Sequence, residues 1–173
     1  PHIKQGPIER YDYLAPQLFE GNKLEFTNLK QGAMMFLYGV FKQLMITNRL
    51  STVSSYIFDN YEKLNGISVL FGTVVFSIQI YTDWTAYCDI VGGVAKMLGI
   101  NITRNFNHPY FSKSMPEFWR RWHISMSSFF KDYVLYPISA SNFCLKLNKN
   151  SRKLFGNTAG RVISSALPIL AVW

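Results

Sequence analysis

Between Lys63 and Asp83 the chain runs LNGISVLFGTVVFSIQIYT, nineteen residues without a charge. About 20 apolar residues cross the hydrocarbon of a bilayer as an α-helix, so this run constrains the fold more than any other feature. Its Val and Ile content would also suit strands. Yet the run is too long for one ordinary strand and has no strong turn signal in its middle, so it predicts a membrane-spanning helix. The following WTAYCDIVGGVAKMLGI continues that helix, and its Gly92-Gly93 pair would let another helix approach closely. Acids inside a span are candidates for function. Asp89 is expected to be buried and paired with a polar group. Asp83 either carries function or lies at the membrane interface with Tyr81 and Trp84, residues typical of the aromatic belt.

The remaining segments fit around this helix. Residues 1 to 17 contain Pro7 and Pro16, which restrict the residues before them, and read as irregular or interfacial. Residues 18 to 31 read as a polar connector or short helix. GAMMFLYGVFKQLMIT, residues 32 to 47, is an apolar helix interrupted by Lys42, which should snorkel to the interface or face other helices. Residues 48 to 63 look like a looser connection, and NITRNFNHPYFSKSMPE like a loop. Ser114, with Pro116 in the first turn and Glu117 three residues on, has the spacing of a capping box that opens another helix.

Charged residues are only 16% of the chain, below the usual ~25%, while aromatic residues also reach 16%. The net charge of +8 is scattered apart from Arg120-Arg121 and a cluster of Lys146, Lys149, Arg152 and Lys153. That cluster falls in a polar loop before a final apolar run. Basic residues flanking a span usually lie on the cytoplasmic side, so the expected partner is a lipid bilayer and no nucleic acid. Cys88 and Cys144 match no metal or redox spacing, and no metal or bound cofactor is expected. The chain opens at Pro1 and stops at Trp173 within VISSALPILAVW, and reads as an internal fragment of a larger protein, truncated at both ends.

FWRRWHISMSSFFKDY, residues 118 to 133, is the stretch that could carry chemistry. As one helix it would set Trp119, His123 and Ser127 on a single face at i, i+4 spacing, joined by Phe130. That face offers a titratable base beside a hydroxyl, walled by aromatic rings. An imidazole with its ordinary pKa of ~6.5 can take a proton from an alcohol, although an isolated histidine can equally be a core residue bonded to a backbone carbonyl. No Gly-x-Ser-x-Gly elbow supports a serine nucleophile. Arg120 and Arg121 point away from this face, toward Asp132, Glu117 or lipid phosphate.

The same stretch, with Phe118, Trp119, Trp122, His123, Ser125, Lys131, Asp132 and Tyr133 in place, resembles the signature helix of the membrane-bound O-acyltransferase (MBOAT) family. GPIERYDYLAPQ, QIYTDWTAYCDIVGGVAKMLGI and NFNHPY are similar to three further family motifs in the same order, with Asp89 at the second acidic position. One departure is DWTAY, where relatives usually read Asp-Phe-Ser-Gly-Tyr, so that Trp84 and Ala86 are bulkier.

The resemblance implies an all-α, multi-pass transmembrane helical bundle with interfacial and re-entrant segments. Residues 1 to 173 would be the central part of its single membrane domain. It implies an O-acyltransferase of the bacterial inner membrane, similar to alginate O-acetyltransferases, that acylates hydroxyls of an exported polysaccharide. D-alanyl transfer to teichoic acid is the neighbouring alternative. A non-catalytic scaffold or transporter and a soluble basic module are the rivals from other classes. The implied donor is acetyl-CoA or an acyl-carrier thioester, used as substrate, and an accessory extracytoplasmic acetyltransferase is a possible partner. His123 would be catalytic, supported by Trp119, Trp122, Ser127, Asp132 and Asp89. The family also carries a later histidine in a Gly-x-Trp-His pattern, usually given the central role. That residue lies outside this chain, so the 173-residue fragment alone is expected to be inactive.

Overall fold

A computed structural model of the chain describes residues 7–21 and 25–170, and only some of the side chains beyond Arg152. His2, Gly6 and Trp173 lie outside the described residues. The described residues are helical with no strand, as an all-α chain requires. They form two compact units, Pro1–Asn107 and His108–Trp173.

In the first unit α1 covers Tyr11–Phe19 and α2 covers Phe26–Phe41. A π-helical turn over Lys42–Thr47 leads directly into α3, Asn48–Asp59. The uncharged run and its continuation form one helix, α4, spanning Gly66–Met97 over 32 residues. It is the one helix among the described residues long and apolar enough to cross a membrane. Asn65 caps its start, accepting hydrogen bonds from Ser68 N at 3.0 Å and Ser68 Oγ at 2.7 Å. Gly99, at φ 78°, ends it in a Schellman turn: Gly99 N donates to Lys96 O at 3.0 Å and Ile100 N to Ala95 O at 2.9 Å.

Two expectations change here. Residues 11 to 19 are helical despite Pro16, and residues 48 to 59 are α3, not a loose connection. The low hydropathy of NRLSTVSSYIFD hides a helix whose buried residues, Ser54 and Ile57, face α4. Ile57 packs where Gly72 leaves room, and Phe58 meets Phe76 edge-on at 5.7 Å.

α2 and α4 run antiparallel and touch through small residues. A Cβ on Gly32 would lie 2.6 Å from Gly93 O, and one on Gly39 would lie 2.8 Å from Ala86 O. In each helix the two small residues are seven apart, two turns along one face. The predicted close approach at Gly92-Gly93 is thus met, by Met35 and Phe36 of α2. Ala86, the bulkier residue in DWTAY, is fully buried and is accommodated because the facing residue is Gly39.

The second unit contains a 3-10 turn at Pro109–Phe111 and then α5, Met115–Arg121. α6 follows over Ile124–Phe130, a π-helical turn over Lys131–Leu135, and α7 over Tyr136–Ala140. α8, Asn142–Leu170, is interrupted by non-helical backbone at Gly156. The helical path therefore continues past Pro137, and the basic stretch expected to be a polar loop is helical.

Candidate active site

The signature stretch is not one helix. α5 ends at Arg121, Trp122 is extended at φ −97° and ψ 127°, and His123 adopts the left-handed conformation at φ 45° and ψ 56°. The expected single face of Trp119, His123 and Ser127 is corrected accordingly: i, i+4 spacing holds only while every backbone step is right-handed. Trp119 and Ser127 still come together. The Ser127 hydroxyl donates to Trp119 O at 3.4 Å across the break, and Ser127 N donates to His123 O at 3.1 Å to start α6.

The break places His123 inside the unit. His123 is only 5% exposed, and Ser125 is 6% exposed. Burial lowers the imidazole pKa below its ordinary value, partly opposed by a contact to its own backbone. At neutral pH the ring is neutral and able to accept a proton. Trp122 is held by stacking on Phe118, with centroids 5.5 Å apart and planes 16° from parallel, and Tyr110 lies 6.1 Å from both rings.

The start of α5 is built as the sequence predicts, with one shift. Ser114 Oγ accepts from Glu117 N at 3.4 Å, but Glu117 Oε2 reaches back to Lys113 N at 2.9 Å. The same carboxylate holds Arg121 Nη2 at 2.6 Å. The Lys113 N–H holds the Glu117 carboxyl below the usual carboxylate range, against burial and with the Arg121 guanidinium adding to it. Of the three targets named for the arginines, Arg121 engages Glu117.

A groove of about 410 Å³ in the same unit is lined by Trp119, Met126, Ser127, Phe130, Lys131, Leu135 and Ile169; His123 is not among its lining residues. Lys131 Nζ lies over the Tyr136 ring at 5.5 Å from its centroid. Asp132 sits in the π-helical turn that follows α6.

Asp89 belongs to the first unit, where it is paired as expected, with Lys42 at 2.5 Å. The Asp89 contact turns Lys42 toward another helix, α4, and its Nζ also lies 5.0 Å from the ring centroid of Tyr38, one turn earlier on α2. The pair heads a series of polar contacts between the α2–α3 path and α4. Gln43 Nε2 donates to Asp83 at 2.9 Å, Thr47 Oγ1 to Thr82 Oγ1 at 3.1 Å, and Ser54 Oγ to Gln79 Oε1. These partners were not predicted, apart from the expectation that Lys42 and Asp89 would find some. Their signal in the sequence is a polar residue recurring within otherwise apolar helix.

The first unit also joins segments that are distant in sequence. Glu9 accepts from Thr103 N at 2.6 Å and Thr103 Oγ1 at 2.7 Å. The Gln17 amide donates to Asn101 O at 3.3 Å and accepts from Asn101 N at 2.8 Å. Buried Phe106 lies 6.0 Å from Tyr81 and 6.4 Å from Trp84, centroid to centroid. Asn105, also buried, donates to Cys88 Sγ at 3.8 Å. Two of the four motifs noted in the sequence therefore pack on each other, through Phe106 and Asn105, and GPIERYDYLAPQ docks on Asn101 and Thr103 in the short stretch that joins those two. No group of three metal-ligating side chains occurs among the described residues.

Residues 4–151, running through both units, match the model of the MBOAT, membrane-bound O-acyltransferase family. The chain is 32% identical over 143 residues to "Peptidoglycan O-acetyltransferase" of Helicobacter pylori, covering 82% of this chain and 27% of that protein. It is 35% identical over 141 residues to "Probable alginate O-acetylase AlgI" of Pseudomonas syringae pv. tomato, covering 82% and 27%. Similarity to "Teichoic acid D-alanyltransferase" of Bacillus subtilis is 28% over 143 residues, covering 78% and 34%. The chain thus spans about a quarter to a third of the length of these curated relatives.

Proposed function

Since the chain belongs to the membrane-bound O-acyltransferase family, we propose that the protein transfers an acyl group, namely acetyl, to hydroxyls of an exported cell-surface polysaccharide. It does so in the bacterial inner membrane. The donor is a thioester, acetyl-CoA or an acyl carrier, used as substrate.

The observation that carries this reading is the buried His123 at a helix break, close in sequence to the buried Ser125 and with its carbonyl bonded by Ser127 N. In the proposed step the acceptor O–H gives its proton to imidazole as the oxygen attacks the thioester carbonyl. The C–S bond breaks, and the thiolate leaves and takes up the proton. His123 orients the acceptor or shares that proton with the later family histidine, and Trp122 and Ser127 support its position. Asp132 pairs within its own region to keep the helix ends in register. Asp89, which the family resemblance gives a supporting role, is held by Lys42 within the first unit. An accessory extracytoplasmic acetyltransferase is a candidate partner.

The test is the full-length protein carrying His123→Ala or His123→Gln, with acetyl ester measured on the glycan. Loss of ester in both variants at equal expression supports the reading, and near wild-type transfer removes His123 from the chemistry. The similarity to a D-alanyltransferase supports a second reading, D-alanyl transfer by the same step. The mass of the ester group formed separates the two.

A further inference from the structure

We propose that Arg121 and Glu117 are positioning residues: the Arg121 guanidinium, held by the Glu117 carboxylate, fastens the end of α5 to the His108 carbonyl and so holds His123 in its left-handed conformation. The inference rests on the reading of His123 as the reactive group.

His108 and His123 are the two non-glycine residues with positive φ among the described residues, at 46° and 45°. They bracket a single segment, the 3-10 turn, the loop after it and α5. A residue with a Cβ resists this conformation, and such a residue persists only where its surroundings over-determine it. Pro109 adds a constraint on His108, because a residue before proline is pushed toward extended backbone. α5 has seven residues, too few to be stable as an isolated helix. Its geometry must therefore come from contacts.

Those contacts converge on two side chains. Glu117 takes the Lys113 N–H at 2.9 Å and Arg121 Nη2 at 2.6 Å. Arg121 Nη1 then reaches back to His108 O at 3.5 Å. The guanidinium is thus tied to one bracketing histidine and sits two residues from the other. A fork of fixed donors can hold a carboxylate and a carbonyl together, whereas a lysine ammonium is a point charge on a flexible stem. Both side chains are part-exposed, 32% for Arg121 and 24% for Glu117, and exposed ion pairs add little to stability. The Tyr110–Phe118–Trp122 cluster, in contrast, packs the segment without them. Removing the pair should therefore leave a folded unit with a misplaced His123.

The experiment uses the full-length protein in detergent with Arg121→Gln, Glu117→Gln and Arg121→Lys. Each sample is treated with diethyl pyrocarbonate, and modification of His123 is followed peptide by peptide against exposed His108 as the internal reference. Cys144, 4% exposed, is probed with a maleimide as a sentinel for unfolding. In the wild type His108 reacts and His123 is protected. In Arg121→Gln and Glu117→Gln, His123 reactivity should rise toward that of His108 while Cys144 stays protected, and Arg121→Lys should restore part of the protection. Acetyl ester should fall by about 10²-fold in the two glutamine variants, the scale expected for misplacement near 1 Å. Unchanged His123 protection overturns the proposal, as does His123 exposure that appears only together with Cys144 exposure. Exposure of His123 with undiminished ester supports the latch and instead removes the catalytic reading of His123.

Discussion

Gly32 and Gly93 meet backbone to backbone: a Cβ on the first would stand 2.6 Å from the carbonyl oxygen of the second, and a Cβ on the second 2.7 Å from that of the first. Neither oxygen can move without disturbing its own helix. Gly93→Ala and Gly32→Ala should each force α2 and α4 apart, costing about 1–3 kcal/mol as overpacking does. Gly66→Ala, where a Cβ meets nothing within 4 Å, is the control. Unfolding of the detergent-purified protein in increasing denaturant would rank the three, and equal midpoints would exclude the contact.

The Lys42–Asp89 pair predicts an asymmetry between single and double substitutions. Lys42→Met strands a carboxylate within apolar helix and should cost about 2 kcal/mol, below the 3–5 kcal/mol typical of a fully buried pair, because the side chains are 11% and 24% exposed. Lys42→Met with Asp89→Leu removes both charges and should recover most of that loss. A double-mutant cycle checks this, and additive losses would mean that the pair is not coupled.

At His123 backbone and side chain can be separated. His123→Gly suits φ 45°, whereas His123→Ala keeps a Cβ where it is strained. The glycine variant should be the more stable by about 1–2 kcal/mol, and both should lose ester formation. Equal stabilities would show that the left-handed conformation does not persist in solution.

Burial lowers the His123 pKa, so the native protein binds fewer protons than the unfolded chain just below the ordinary value of about 6.5. Stability from the neutral ring is complete above that value and is lost as pH falls through the lowered native one. His123→Gln should abolish this acid-side loss. Ester formation, which needs the neutral ring, should persist to a lower pH than free imidazole would allow. Melting and initial rates across about pH 5.5 to 7.5, one unit either side of that reference, would measure both.

Much of the first unit is legible from residue pattern alone. The uncharged run and the Gly92-Gly93 approach follow from local chemistry, and Lys42 and Asp89 within apolar helix require partners, whereas the Asn65 and Gly99 boundaries emerge only in the structure. What is not legible depends on the partner surface. α3 has too little hydropathy to announce itself, and is a helix because Ser54 and Ile57 have Gln79 and Gly72 to meet. The Gly32, Gly39 spacing gains meaning only once Gly93 and Ala86 are known to lie opposite.

The signature stretch shows the opposite difficulty. Its residues carry a strong family resemblance, and their i, i+4 spacing describes a continuous helix. The break at Trp122 and His123 has no glycine or proline to mark it. It arises from packing of Phe118, Tyr110 and Trp122 and from the Arg121 contacts. The chemistry of the site is readable in the residue types, but its three-dimensional arrangement is not.

The bonds from Glu9 to Thr103 join residues 94 apart. A ribosome adding about 5–20 residues per second takes about 5–20 s to synthesise that interval. The opening segment therefore has to wait, with its carboxylate in water, until α4 has been made and delivered to the bilayer. Its docking becomes a late checkpoint of biogenesis: a chain whose long helix enters the membrane incorrectly leaves Glu9 without its partner and exposes the unfastened α1 segment to quality-control proteases.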